Sequence, residues 1–323
     1  MGGALGRRPL LRPRAQSVRW RPVLEGARWA GALRFGLCLV LCLVLLGGAG
    51  LQAEAHPEWT TPIAPFRIAD NLYYVGSRDL AAYLVVTPAG DVLINSNLES
   101  SPPQIRRSVE QLGFRFSDVK VLLISHAHFD HTAGSAEIKR MTGARYMVME
   151  GDVPVVESGG ATDFAYGRDG THYPPAKVDR VLHDGDEVRL GGAVLVAHKT
   201  AGHTRGCTTW TMRVMDAGRP REVVIVGGWS ANSEFRLVDR PGRPASYPGI
   251  ARDFEGTFAE LARLPCDLFL GAHGSYFGML GKLERARSGE KDTWVDPTGY
   301  QRAVADHRRA FEAELHREEA GQR

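Results

Sequence analysis

Residues 125–131 read Ser125-His126-Ala127-His128-Phe129-Asp130-His131, and this run decides how the rest of the chain is read. It follows the segment 119–124, VKVLLI, whose β-branched and leucine residues predict a strand buried on both faces. It precedes a helical pattern over Thr132–Met141. His126 and His128 are separated by one residue, so in extended backbone they point the same way. Asp130 and His131 stand where the chain turns into the helix and can face a second position close by. Imidazole and carboxylate together suit zinc, so one short loop can serve two metal ions. Asp130 has a second possible role as N-cap of the following helix, and the two roles are compatible.

Two metals need more donors than four. His203 lies in Thr200-Ala201-Gly202-His203-Thr204-Arg205-Gly206, and His273 in Leu270-Gly271-Ala272-His273-Gly274-Ser275. Both sit in glycine-flanked loops directly after apolar strands, 193–198 and 268–270, where ligands from distant segments converge. The other histidines, 56, 172, 183, 198, 307 and 316, read as terminus, loop or helix surface.

Around these loops, short apolar stretches alternate with helical periods. Strands are expected at Leu72–Val75, Ala81–Val86, Asp91–Ile94, Arg145–Met149, Glu187–Leu190, Ala193–His198, Thr208–Val214 and Glu222–Val226. Pro103–Leu112 reads as a helix. Ile250, Phe254, Phe258 and Leu261 form one helical stripe, and Tyr300, Val304, Phe311 and Leu315 another. Residues 158–178, with four glycines and two prolines, form a long loop of a kind that is usually functional. The order of elements predicts an α/β (α+β) fold of sheets covered by helices in layers. There is no internal repeat, linker or low-complexity tract, so residues 56–323 form one domain.

The beginning of the chain reads differently. Eight arginines precede an apolar run from Phe35 to Leu51, followed by Ala53-Glu54-Ala55. A basic segment, an apolar core and an A-x-A site describe a secretory signal peptide, residues 1–55, removed after Ala55. A membrane anchor is the alternative, although the run loosens into Gly47-Gly48-Ala49-Gly50. Cleavage places the protein in the periplasm or outside the cell, with no remaining membrane contact. It also changes the charge. The whole chain is +3, but residues 1–55 hold eight of the 40 basic and two of the 37 acidic residues. Residues 56–323 therefore carry 32 against 35, or −3. No basic stripe remains for nucleic acid. Of four cysteines, Cys207 and Cys266 survive, and they are expected to be free thiols rather than a pair.

The run His126–His131, with Gly202-His203-Thr204 and Ala272-His273-Gly274, resembles the metallo-β-lactamase superfamily from about Trp59 to the C-terminus. That resemblance implies a four-layer αβ/βα sandwich with two zinc ions at one edge. His126, His128 and His203 would hold the first, and Asp130, His131 and His273 the second. Glyoxalase II and lactonase branches resemble one another in placing a metal-bridging Asp after strand 222–226, and two β-lactamase classes place a Cys there. This chain reads Val226-Gly227-Gly228-Trp229-Ser230-Ala231-Asn232. In lacking both it resembles subclass B3. It departs from many superfamily members in having Asn95 where they have an Asp, and in having no cysteine after Cys266.

The implied activity is hydrolysis of the amide bond of a small-molecule β-lactam by a monomeric enzyme, a reaction that gives antibiotic resistance. A zinc-bound hydroxide would attack the carbonyl, with Asp130 orienting it. The alternative is a dizinc hydrolase of the same fold acting on another ester, lactone or amide. A zinc-binding protein without catalysis is disfavoured, because structural zinc sites are closed by four ligands. Ser230, Asn232 and Ser275 are the expected donors to a substrate carboxylate, with Trp229 in one such place on an ambiguous alignment. Trp59, Phe164, Tyr166 and Tyr173 are the expected apolar walls.

Overall fold

The computed structural model describes residues 56–321. The expected signal segment and its cleavage site lie outside them. The first sheet runs β1 (Phe66–Ala69), β2 (Leu72–Tyr74), β3 (Tyr83–Val85), β4 (Asp91–Ile94), β5 (Val119–Leu123), β6 (Arg145–Met149) and β7 (Arg180–Leu182), in that spatial order. Strands β1 to β4 pair antiparallel and β4 to β7 parallel. Helices α1 (Pro102–Gln111), α2 (Phe129–Thr132), α3 (Ser135–Thr142) and α4 (Val153–Glu157) belong to this half of the chain. The second sheet contains β8 (Glu187–Leu190), β9 (Ala193–Lys199), β10 (Thr208–Asp216), β11 (Arg219–Val226) and β12 (Leu268–Gly271), ordered β12-β11-β10-β9-β8. Only the β11–β12 pair is parallel. Helices α5 (Ile250–Arg263), α6 (Met279–Arg287) and α7 (Pro297–Glu319) complete the chain.

Alternation along the strands explains the layers. Tyr83, Val85, Val92, Ile94, Val121, Leu123, Met147 and Met149 enter the core shared with the second sheet. Their neighbours Leu84, Leu93, Leu122, Tyr146 and Val148 face the opposite way, where Ile105 and Val109 of α1 and Ile138 of α3 cover them. On the far side, Ile250, Phe254, Phe258 and Leu261 of α5 and Tyr300, Val304 and Phe311 of α7 are all buried. Helices, sheet, sheet and helices form the four expected layers.

Two expectations need correction. The segment 119–124 is not buried throughout, because Lys120 reaches solvent near the start of β5. The helix expected at 132–141 is two helices, α2 and α3, broken at Ala133-Gly134. At Gly134 the chain packs so closely on the 96–98 segment that a Cβ would stand 2.5 Å from the Ser96 carbonyl oxygen. Its amide instead donates to the Asn97 carbonyl. Asp130 therefore lies inside a short helical turn and is not an N-cap; His128 occupies that position. β1, β7, α4 and α6 were not anticipated, being short or weakly patterned.

The parallel strands β4, β5 and β6 all end at one edge of the first sheet. β11 and β12 end at one edge of the second, and the β9–β10 hairpin turns beside them. The topology thus gathers Asn95, the 125–131 loop, Asp152, His203, Gly227–Ser230 and His273.

Candidate metal centre

His126, His128 and His203 converge from two strand ends, with ring centroids 4.6–4.8 Å apart. Donor atoms of these three histidines lie within 4.8 Å of one another, and so do those of His126, Asp130 and His131. His273 meets the second set: its Nε2 is 3.1 Å from His131 Nε2 and 3.4 Å from Asp130 Oδ2. His131 Nε2 is 3.1 Å from the same carboxylate oxygen. The structure therefore brings together all six residues singled out from the sequence, as two adjoining clusters.

The surroundings orient these rings. Asn95 accepts a hydrogen bond from the Ser125 amide through Oδ1 and donates through Nδ2 to the Ala81 carbonyl. It ties the start of the histidine loop to Ala81, just before β3, without carrying charge. Asp152, which sequence reasoning missed, accepts from the Ala127 amide, the Thr204 hydroxyl and the Gly206 amide. One buried carboxylate thus joins the loops carrying His126, His128 and His203. His203 Nδ1 hydrogen-bonds the Ser230 carbonyl, and His273 Nδ1 hydrogen-bonds Asp79. Asp79 also accepts from the Ser275 amide and was likewise not foreseen. Their only sequence signal was an acid in a loop at this end of the sheets.

Burial and neighbouring charge set the protonation. Burial, reinforced by the other imidazoles, holds His126 and His128 well below the ordinary histidine range, and burial lowers His203 to about 4. His131 is also lowered, chiefly by burial. For His273 burial works downward, but the carboxylates of Asp130 and Asp79 outweigh it and raise the group to about 9. Burial would raise Asp79, yet His273 brings it down to about 2. Asp152 is pushed up to about 7 by burial.

These donors fit a metal ion. His126 Nδ1 is buried without a hydrogen-bond partner, as is His128 Nε2 with Asp163 Oδ2 3.6 Å away, and the Nε2 atoms of His131 and His273 face each other at 3.1 Å, an arrangement that proteins otherwise avoid. Neutral imidazoles and an ionised carboxylate are the donor forms that zinc and similar ions require.

The clusters form the floor of a cleft of about 380 Å³, lined by Trp59, Tyr166, Ser230, Asn232 and Tyr276 among others. Four of the residues expected to contact substrate, Trp59, Tyr166, Ser230 and Asn232, line this cleft. Ser275 lines an adjacent groove of about 910 Å³, which shares His56, Trp59, His273 and Tyr276 with the cleft. Phe164 does not line the cleft, because it packs on Phe235 and Tyr247 at 5.1 and 5.0 Å. Tyr173 is buried and donates to the Ala127 carbonyl. Trp229 is buried against His307, ring centroids 4.1 Å apart. His56, assigned to the terminus, also lines the cleft and stacks on Trp59. His198 is not on a surface helix or loop but within β9, between Glu260 and Thr211. Cys207 and Cys266 are free.

A layered sandwich with a histidine-rich cleft at its edge defines a class of metal-dependent hydrolases. Residues 78–273 match the family model of the metallo-beta-lactamase superfamily, and the chain belongs to that superfamily. Among solved structures it is similar to the native FEZ-1 metallo-beta-lactamase from Legionella gormanii. That match has 49% identity and a TM-score of 0.78, covering 80% of this chain and 98% of the other. It is also similar to BJP-1, a subclass B3 metallo-beta-lactamase of Bradyrhizobium japonicum, at 34% identity and a TM-score of 0.76, covering 83% and 100%. A curated relative, a hydroxyacylglutathione hydrolase of Methylobacterium sp. (strain 4-46), is 27% identical over 157 residues, which is 45% of this chain and 52% of the relative. The chain spans about half the length of the curated relatives that head this comparison.

Proposed function

We propose that this protein is a dizinc hydrolase that opens the amide bond of β-lactams. His126, His128 and His203 would hold one zinc; Asp130, His131 and His273 would hold the other. Zinc in these places supplies Lewis acidity toward the lactam carbonyl and the departing nitrogen, and makes water acidic enough to serve as nucleophile. The chain's own part is positioning. The Ser230 carbonyl and Asp79 fix the tautomers of His203 and His273, leaving each Nε2 toward the cleft. Asp130, held ionised, stands between His131 and His273. Ser230 and Asn232 offer donors for the substrate carboxylate, and Trp59, Tyr166 and Tyr276 exclude water from one side of the scissile bond.

The observation that carries this reading lies just beyond β11. A Cβ on Gly227 would stand 2.3 Å from the Thr208 carbonyl oxygen, and one on Gly228 2.6 Å from the His203 ring. Neither position has room for a side chain, and Trp229 is buried elsewhere. A metal-bridging carboxylate of the kind expected in glyoxalase II relatives would have no room at position 227 or 228, which favours the β-lactam reading.

A second reading, hydrolysis of a glutathione thioester, is favoured by the curated matches. Purified residues 56–323 loaded with zinc should hydrolyse the chromogenic cephalosporin nitrocefin, and a chelator should abolish the reaction. Turnover of S-lactoylglutathione without turnover of nitrocefin would establish the second reading instead. Export to the periplasm and cleavage after Ala55 belong to the same proposal, as does action as a monomer on a small molecule. N-terminal sequencing of the exported protein tests the cleavage.

A further inference from the structure

The cleft has an acidic group that the proposed chemistry does not use. Glu234 lines it from the segment after Ser230 and Asn232, and is exposed. Its carboxylate accepts from the Ser233 hydroxyl, and burial together with this carboxylate raises the Tyr166 hydroxyl well above its ordinary range. Tyr166 in turn accepts from the Asn232 amide nitrogen at 2.8 Å, and its ring stands edge-on to His128, centroids 4.8 Å apart. The 158–178 loop and the segment after β11 are thus linked across the three-histidine side of the cleft. Among the described residues that line this cleft there is no lysine or arginine to balance Glu234. The adjoining groove is lined by both Arg78 and Glu58.

We infer that Glu234 is a specificity-determining residue: it favours substrates that carry a cationic substituent beside the scissile ring and disfavours those that carry a second anion there. A carboxylate at the mouth of a partly enclosed cleft acts on a substrate charge through a dielectric lower than water, over a distance shorter than the screening length. The expected preference is about three- to tenfold in kcat/KM.

The inference rests on the β-lactam reading. The test compares two penicillins with the same phenylacetamido frame, ampicillin with an α-ammonium and carbenicillin with an α-carboxylate. The zinc-loaded enzyme should prefer ampicillin. Glu234→Gln should shift the ratio of kcat/KM toward carbenicillin by about three- to tenfold, whereas Glu234→Asp should largely retain the preference. Tyr166→Phe removes the tether but keeps the charge, so it should alter both substrates in parallel. Calorimetric dissociation constants of the two ring-opened products should change in the same sense, giving a readout independent of turnover. Turnover of both penicillins at a ratio unchanged by Glu234→Gln would overturn the charge assignment alone. No turnover of either would overturn the functional reading, and this inference with it.

Discussion

The two halves of the metal centre are built from different chemistry. The half formed by His126, His128 and His203 has imidazoles only, and burial keeps them neutral. Its rings are placed by the Ser230 carbonyl and, from outside the cluster, by two buried carboxylates: Asp152 joins the loops that carry them, and Asp163 Oδ2 stands 3.6 Å from His128 Nε2. The half formed by Asp130, His131 and His273 is laced with carboxylates, and Asp79 backs His273. The first half presents neutral donors whatever the pH near neutrality. The second arranges charge, and His273 binds a proton firmly until something replaces it. Metal binding at the second half must therefore displace more protons, and its occupancy should fall first as pH falls.

Substitutions can break this comparison. The largest effect is expected from His203→Ala, which removes a donor from the neutral half. Activity should fall by more than about 100-fold, beyond the roughly 10–100-fold typical of losing an outer partner, and zinc retention should drop. His273→Ala should also abolish most activity yet leave the three-histidine half able to keep its ion, as metal analysis after dialysis would show. Next comes Asp79→Asn. An amide oxygen can accept from His273 or from the Ser275 amide, but the nitrogen cannot accept from the other. Activity should fall by about 10–100-fold, while Ser230 and the first half are untouched. Asp152→Asn tests the other side, since its amide nitrogen would face a donor. Unfolding free energy should fall by about 1–3 kcal/mol, read from urea unfolding.

The smallest effect lies at the opposite end of β4. Asp91 is 4% exposed, accepts from the Thr87 amide, and is raised by burial to about 6. A carboxyl raised above its unfolded value binds protons more tightly when folded. It costs stability as pH rises from about 4 through 6. Asp91→Asn should therefore be more stable than wild type by about 1–2 kcal/mol at pH 8, with the difference gone near pH 3. A difference constant across pH would show that the carboxyl is not desolvated.

How much could be read beforehand follows the same division. The six clustered donors were legible because four fall in seven residues and the other two follow strands. The layers were legible because alternation in β3 to β6 matches the side chains that enter each core. Asp152 and Asp79 were not, since a lone acid in a loop has no pattern until the chain folds it against distant amides. Phe164 and Tyr166 show why only some of the expected wall residues line the cleft. They share a loop and a parity, but Asp163 accepts from the amides of Ala165 and Tyr166 and wraps the backbone into a turn. One ring then enters the core and the other the cleft. Tertiary contact also decided Trp229, which left the cleft for a stack on His307.

The proposed function requires the two unlike halves to act as one dinuclear site. Zinc titration of metal-free protein, followed by nitrocefin turnover and metal content together, tests it most directly. Two ions should bind per chain, and activity should reach its plateau only as the second is added. Full activity at one bound ion per chain, unchanged on adding more, would contradict it.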